Sequence, residues 1–272
     1  MYDPAWVASY FDTYGIQEWN RLVRKPTDEI RLAVHRHYLG RHIEPGYRVL
    51  EIGAGAGRFT QILTELGARV HVADISPVQV DLNRSKAEEH GFASCVEAWS
   101  CLDVCEMPSL EDASFDAVVC YGGPLSYVFE RRDDALREMR RVLRPEGWLL
   151  LSVMSLWGSI HEHLPGVLAT PAEANVAILA TGDLHPGASD FTSHRCHLFR
   201  AAELCELLIG HAFEVATLSA SNALAAVWGE NLRAIREDPA RWSELIEMEI
   251  EACRSPGCLE TGTHLIAVAR KA

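Results

Sequence analysis

The chain has 272 residues, 48% of them hydrophobic and 23% charged, with a formal net charge of −13. That length suits one large α/β domain with additions, or two small domains. No apolar run approaches the about 18 residues that a membrane helix requires, and no basic stretch of useful length offers a nucleic acid a footprint. Met1-Tyr2-Asp3-Pro4-Ala5-Trp6 lacks the basic start and apolar core of a signal peptide. A cytoplasmic protein with no nucleic-acid and no membrane partner is expected; the oligomeric state is not legible. The eight cysteines contain no Cys-x-x-Cys pair, so small buried hydrophobes are expected and no metal site.

Residues 1–46 read as helical. Pro26-Thr27 starts a helix, with Asp28 and Glu29 in its first turn and Ile30, Ala33/Val34 and His37/Tyr38 at helical spacing. Pro45-Gly46 ends it. From residue 47 the rhythm becomes strand, helix, strand. Arg48–Ile52 is a first strand, 59–66 a helix stopped by Gly67, and Arg69–Asp74 a second strand. Helix Pro77–Glu89 stops at His90-Gly91, and a weak third strand lies around 94–98. Phe115–Cys120 is the fourth strand, and helix Arg132–Val142 ends at Arg144-Pro145-Glu146-Gly147. Residues 148–154 form a strong fifth strand. Short apolar strands alternating with helices predict a parallel sheet buried on both faces.

Residues 155–200 break that rhythm. Gly158, Pro165, Gly166, Pro171, Gly182, Pro186 and Gly187 punctuate them, and His161, His163, His185, His194 and His197 enrich them. A segment this long without a strand, and not poor in apolar residues, reads as a lid or substrate-facing insertion. A helix over 201–209, a sixth strand over 213–218, further helix over 222–251 interrupted at Asp238-Pro239, and a final strand over 264–269 complete the chain.

The chemistry concentrates in Val49-Leu50-Glu51-Ile52-Gly53-Ala54-Gly55-Ala56-Gly57-Arg58-Phe59. Gly53, Gly55 and Gly57 remove side chains where backbone must approach a ligand, and the helix beginning near Arg58 points its amides at it. Glu51 implies a ligand with hydroxyls or positive charge. Asp74, ending the second strand, stands where a ribose diol is received in a doubly wound sheet. A dinucleotide fingerprint would place its third glycine at position 58, where this chain has Arg58.

With Asp74, Asp103 and Phe115-Asp116-Ala117-Val118-Val119, followed by Arg141-Val142-Leu143-Arg144-Pro145 and Gly147-Trp148-Leu149, this pattern resembles the class I S-adenosylmethionine-dependent methyltransferases. The resemblance covers about residues 47–154 well and the last strands more loosely. It implies a Rossmann-like α/β fold, a doubly wound, seven-stranded, mostly parallel sheet. A helical cap over 1–46 would precede a methyltransferase domain over 47–272, with the insertion at 155–200. It implies S-adenosylmethionine as cofactor, with Glu51 and Gly53 near its methionine part, Asp74 on the ribose hydroxyls, Ile75 against the adenine, and Asp103 with Val104 at the adenine amine. Cys120-Tyr121-Gly122 would lie where methyl donor and acceptor meet, and Tyr14 and Arg21 would reach the cofactor carboxylate.

In-line methyl transfer needs a general base only when the acceptor is protonated and poorly acidic. His194, His197, His161 and His163 are candidate bases, with His194 and His161 foremost, and Tyr127 a candidate lining residue of the acceptor pocket. Methyl transfer to a small molecule is the expected activity. The alternatives are intramolecular displacement at the sulfonium's aminobutyrate carbon, a non-catalytic binding module, and an NAD-dependent oxidoreductase, the last weakened by Arg58 and Glu51.

Overall fold

Seven apolar segments meet in one sheet in the computed structural model, which describes residues 1–185 and 194–272. The strands are β1 (Arg48–Ile52), β2 (Arg69–Asp74), β3 (Val96–Cys101), β4 (Phe115–Cys120), β5 (Leu143–Met154), β6 (Phe213–Ala220) and β7 (His264–Lys271). Their spatial order is β3-β2-β1-β4-β5-β7-β6. All run parallel except β7, which is antiparallel to both of its neighbours. The expected mostly parallel, doubly wound sheet is therefore present. The reversal of β7 pairs His264 with Met154, so the first residue of β7 stands at the carboxyl edge of the parallel strands.

Side chains alternate across the strands and feed two cores. Leu50, Val118, Leu149 and Leu151 face helices α7 (Arg132–Val142) and α11 (Ala201–Gly210), through Leu136, Met139, Leu204 and Leu208. Val49, Val119 and Leu150 face the other way, toward α3 (Pro26–His42), α4 (Arg58–Glu65), α5 (Pro77–Glu89) and α13 (Pro239–Cys253). Each fully buried aliphatic side chain contributes about 1.5–3 kcal/mol of transfer free energy, which is why these runs hold the strands in register. The helices start where local chemistry dictates. Ser76 accepts from the Gln79 amide at 3.1 Å ahead of Pro77, and Asp238 accepts from Ala240 and Arg241 ahead of Pro239.

Helices α1 (Pro4–Tyr14) and α2 (Gln17–Asn20) precede α3 in the N-terminal segment. After β4 comes the single turn α6 (Pro124–Tyr127), and after β5 the short helices α8 (Leu156–Glu162), α9 (Leu164–Ala169) and α10 (Ala172–Thr181). Asp183–Leu184 pairs with Cys196–His197 in a small antiparallel ribbon, and α12 (Arg233–Arg236) precedes α13. Val7 of α1 shares a third core with Tyr127, Leu156, Val167, Ile178 and Leu198. The first helix and the segment after β5 thus roof one end of the sheet together.

Three boundaries differ from expectation. The third strand begins at Val96, because Ala93–Cys95 closes a 3₁₀ turn first. β5 begins at Leu143, through the Arg144–Gly147 turn residues: Leu143 pairs with Phe115, Arg144 bonds Asp116, and Glu146 takes up the irregularity at a φ of +65°. Residues 155–185 are helical with one strand of the ribbon. Pro186 and Gly187, read as breakers, lie outside the described residues.

Candidate active site

Gly53, Gly55 and Gly57 all have positive φ, and space as well as strain selects glycine. A Cβ on Gly53 would lie 2.3 Å from Pro124 Cγ, and one on Gly55 2.8 Å from Glu18 Cγ. The turn is therefore clasped between α6 and the N-terminal helices. Asp74 ends β2 beside it and is 6% exposed. One carboxylate oxygen accepts the Gly55 amide at 2.8 Å and the other the Ser76 amide at 2.9 Å. Burial pushes the Asp74 carboxyl up to about 6 against those amides, and the nearby Glu18 carboxylate adds to the rise.

Behind the turn lies a buried polar chain. The Thr60 hydroxyl donates to Glu51 at 2.6 Å, Asn83 Nδ2 donates to Thr60 at 2.9 Å and to the Gly55 carbonyl at 3.2 Å, and Trp99 Nε1 donates to Asn83 at 3.1 Å. The second Glu51 oxygen is buried with no partner. Burial pushes the Glu51 carboxyl up to about 8.

The N-terminal helices close over this side. Arg58 donates to the Trp19 carbonyl at 2.8 Å and lays its guanidinium 3.9 Å over the Trp19 ring, which stacks on His90 from the other direction. Gln79 donates to the carbonyls of Phe11 and Gly15. Glu18 and Arg21 form a two-pronged pair at 2.8–2.9 Å. Both line the cavity beside Tyr14.

That cavity has a volume of about 810 Å³, within the range of small-molecule sites. Gly53, Gly55, Asp74 and Ile75 line it, with Leu102 and Val104. So do the polar side chains of Arg31, His35, Tyr127, His194 and His264, and the apolar ones of Val7, Phe11, Met154 and Leu198. Tyr127 meets Phe11 edge-on at 5.4 Å, and burial raises its phenol well above its usual range. His194 tilts against Tyr10 at 5.3 Å; its Nδ1 is buried without a partner among the described residues, and burial lowers its proton affinity.

Of the residues read from sequence, Gly53, Gly55, Asp74, Ile75, Val104, Tyr14, Arg21, Tyr127 and His194 line the cavity. Five others do not. Glu51 shares the Val49 face of β1 and points toward α4, so Ile52 faces the cavity in its place. Gly57 opens α4 and packs on Asn83. Asp103 accepts the Cys105 amide of its own turn at 2.8 Å and bonds the Tyr2 hydroxyl, leaving Leu102 and Val104 as lining. Cys120 is fully buried in the sheet, with its thiol pushed up by burial. His161 is exposed on α8.

Glu18, Arg31, His35 and His264 line the cavity and were not singled out from sequence. Glu18 had a signal, since it stands three residues before Arg21 on a helical stretch. Among the described residues no three His, Cys, Asp or Glu come together as metal ligands, and no helix is long and apolar enough to cross a membrane. The described cysteines are all free thiols.

The carboxylates of Glu18 and Asp74 beside one glycine turn fit a ligand carrying hydroxyls and positive charge. Sheet order, turn and acid together define a Rossmann-like fold of the methyltransferase class. Residues 50–151 match the family model described as a methyltransferase domain, and this part of the chain is similar to S-adenosylmethionine-dependent methyltransferases. It is similar to the malonyl-[acyl-carrier protein] O-methyltransferase of Serratia marcescens, 30% identical over 118 residues, which are 43% of this chain and 42% of that protein. It is also similar to the ubiquinone/menaquinone biosynthesis C-methyltransferase UbiE of Hahella chejuensis, 34% identical over 113 residues, 40% and 43% of the two chains. The chain thus spans less than half the length of these curated relatives. The fold matches the Burkholderia thailandensis 1,6-didemethyltoxoflavin-N1-methyltransferase, solved with 1,6-didemethyltoxoflavin and S-adenosylhomocysteine bound. Its TM-score is 0.56 at 18% identity, over 98% of this chain and 88% of that one.

Proposed function

We propose that the protein transfers a methyl group from S-adenosylmethionine to a small-molecule acceptor held in the same cavity. The observation that carries this reading is the fastening of Asp74 to the Gly55 amide in a cavity that also takes in the polar side chains of Arg31, His35, His194 and His264. Asp74 would hold the ribose hydroxyls, Ile75, Leu102 and Val104 would sandwich the adenine, and Arg21 with Tyr14 would meet the cofactor carboxylate. Glu18 would face the positively charged part. When bound, the cofactor supplies a sulfonium methyl that an electron-rich atom attacks in line.

This chain's own residues then bind, orient and exclude water. Residues 1–46 act as a cap, and the described part of the insertion, 155–185 and 194–200, as a lid over the cavity; the core that both share with Tyr127 supports that reading. Enclosure holds donor and acceptor at attack distance, which supplies much of the rate without a catalytic dyad. The relatives named above are an O-, a C- and an N1-methyltransferase, and the family-model match ends at residue 151, before the insertion, so the acceptor is set by the cavity lining outside that match. The net charge of −13 favours a small molecule over a nucleic acid.

Calorimetric titration with S-adenosylhomocysteine tests the reading. Saturable binding at micromolar ligand is expected; folded protein that shows no heat at millimolar ligand overturns it. Incubating a metabolite extract with labelled methyl donor then reports the acceptor by mass.

A further inference from the structure

Two imidazoles from distant parts of the chain reach the cavity. His35 comes from α3 and is 4% exposed. Its Nδ1 lies 2.7 Å from the Arg31 carbonyl, which can only accept, so Nδ1 carries the proton and Nε2 carries the lone pair. The ring is held edge-on to Tyr121 at 4.7 Å and tilted against Phe59 at 5.4 Å. That fixes it beside the loop after β4. His264 comes from the head of β7. Its Nε2 lies 3.8 Å from where a Cβ of Gly123 would stand, on the same loop.

The cations of α3 and its approach that line the cavity stand against carboxylates. Arg31 is bonded to Asp28, Glu162 and the Asn222 side chain, Arg24 lies 3.8 Å from Asp28, and Lys25 lies 3.7 Å from Glu162. An anionic acceptor would have to compete with Asp28 and Glu162 for them. Among the described residues neither imidazole has a carboxylate partner; His264 Nδ1 lies 3.3 Å from the Thr263 hydroxyl. Burial, with Arg21 and Arg31 nearby, lowers His35 to about 4, and burial with Arg21, His35, Arg31 and His194 lowers His264 well below its usual range. Both rings are therefore uncharged at neutral pH, and each keeps one nitrogen lone pair that can accept, Nε2 in His35.

We propose that His35 and His264 are the acceptor-recognition pair, and that they select an uncharged small molecule with an apolar body and a hydroxyl or N–H beside the reacting atom. This deepens the methyltransferase reading and rests on it. The ring nitrogens receive the donor hydrogen at the loop after β4, while Phe11, Tyr127 and Leu198 cover the apolar body. A carboxylate in the same place would face lone pairs and the engaged acids Asp28 and Glu162. Both rings are positioning groups in this assignment.

Imidazole ¹⁵N NMR on the whole protein, saturated with S-adenosylhomocysteine, tests this with matched probes: 1-naphthol and indole against 1-naphthoate and indole-2-carboxylate. His35 is expected as the Nδ1–H tautomer, with neither ring titrating between pH 5 and 8. The neutral probes should shift the Nε2 signals of both rings, and the carboxylates should bind at least tenfold more weakly. His35→Asn and His264→Asn should each weaken 1-naphthol binding at least fivefold. A ring that titrates near pH 6.5, neutral probes that shift neither ring, or carboxylates that bind as well as the hydroxyl probe would overturn the assignment. Failure of S-adenosylhomocysteine to bind wild-type protein would instead remove the methyltransferase reading beneath it.

Discussion

Asp74 accepts the amide of Gly55 at 2.8 Å, so the acid that ends β2 is tied directly to the turn that ends β1. One residue thereby fixes both the shape of the glycine turn and the charge that faces the cavity. Removing it has two separable effects. Asp74→Ala leaves the Gly55 and Ser76 amides without partners, and each buried orphan costs about 1–3 kcal/mol. A lower thermal midpoint is expected, together with about ten- to hundredfold weaker S-adenosylhomocysteine binding by calorimetry. Unchanged affinity in folded Asp74→Ala protein would contradict its placement on the ribose.

Gly53 carries a steric constraint of a different kind. At a φ of +64°, any side chain is strained, and a Cβ would sit 2.3 Å from Pro124 Cγ. Left-handed backbone alone costs an L-residue about 1–2 kcal/mol. Gly53→Ala must also push α6 away from the turn, and α6 carries Tyr127 into the cavity. A loss of about 2–4 kcal/mol in urea unfolding is expected, with weaker cofactor binding even at temperatures where the protein stays folded.

Glu51 makes stability depend on pH in a direction opposite to that of most carboxylates. Its folded-state value is raised to about 8 by burial, so the folded protein holds a proton that the unfolded chain releases at its ordinary, lower value. Its contribution is fully present below the ordinary carboxylate range, declines as the pH rises through the interval, and is lost above about 8. Asp74, raised to about 6, acts in the same direction over a narrower window. Glu51→Gln keeps the shape, cannot ionise and can still accept from Thr60. The variant should gain stability relative to wild type between pH 6 and 9, with a flatter urea midpoint against pH. A wild-type midpoint that rises across that interval, with the Gln variant following it, would refute a protonated Glu51.

Much of this site was legible in the sequence because its determinants are local. The glycine turn, Asp74 and the β4 motif each lie within one strand and its following loop, where periodicity and turn chemistry operate directly. Glu51 illustrates the limit. The alternation that buries Leu50 and Ile52 on one face already sends Glu51 to the other, toward Thr60, yet its adjacency to the glycines drew it toward the ligand. His35 and His264 were out of reach for another reason. One depends on how α3 packs over the β4 loop, the other on β7 running antiparallel, and neither fact is encoded near the residue concerned. The Arg144–Gly147 turn signal gave way to tertiary pairing, since Leu143 finds Phe115 and Arg144 finds Asp116.

A partly shielded ion pair links cap and insertion beside the cavity. Glu162 at the end of α8 bonds Arg31 of α3 and lies 3.7 Å from Lys25. Arg31 is only 12% exposed and Glu162 21%, so the pair is better shielded than a surface bridge, and severing it leaves Arg31 with Asp28 and Asn222. Glu162→Gln keeps the length and removes the charge. Global stability should fall by about 1–2 kcal/mol, while local opening of α8 to α10 should rise more. Hydrogen exchange over 156–181 is the direct measurement, with faster exchange expected there and little change in β1, β4 and β5. The charge change also relieves Asp28, whose carboxyl is raised by burial and, in smaller part, by Glu162. Uniform acceleration across the sheet would mean that the link supports the whole fold; faster exchange confined to the three helices would mean that it fastens the lid.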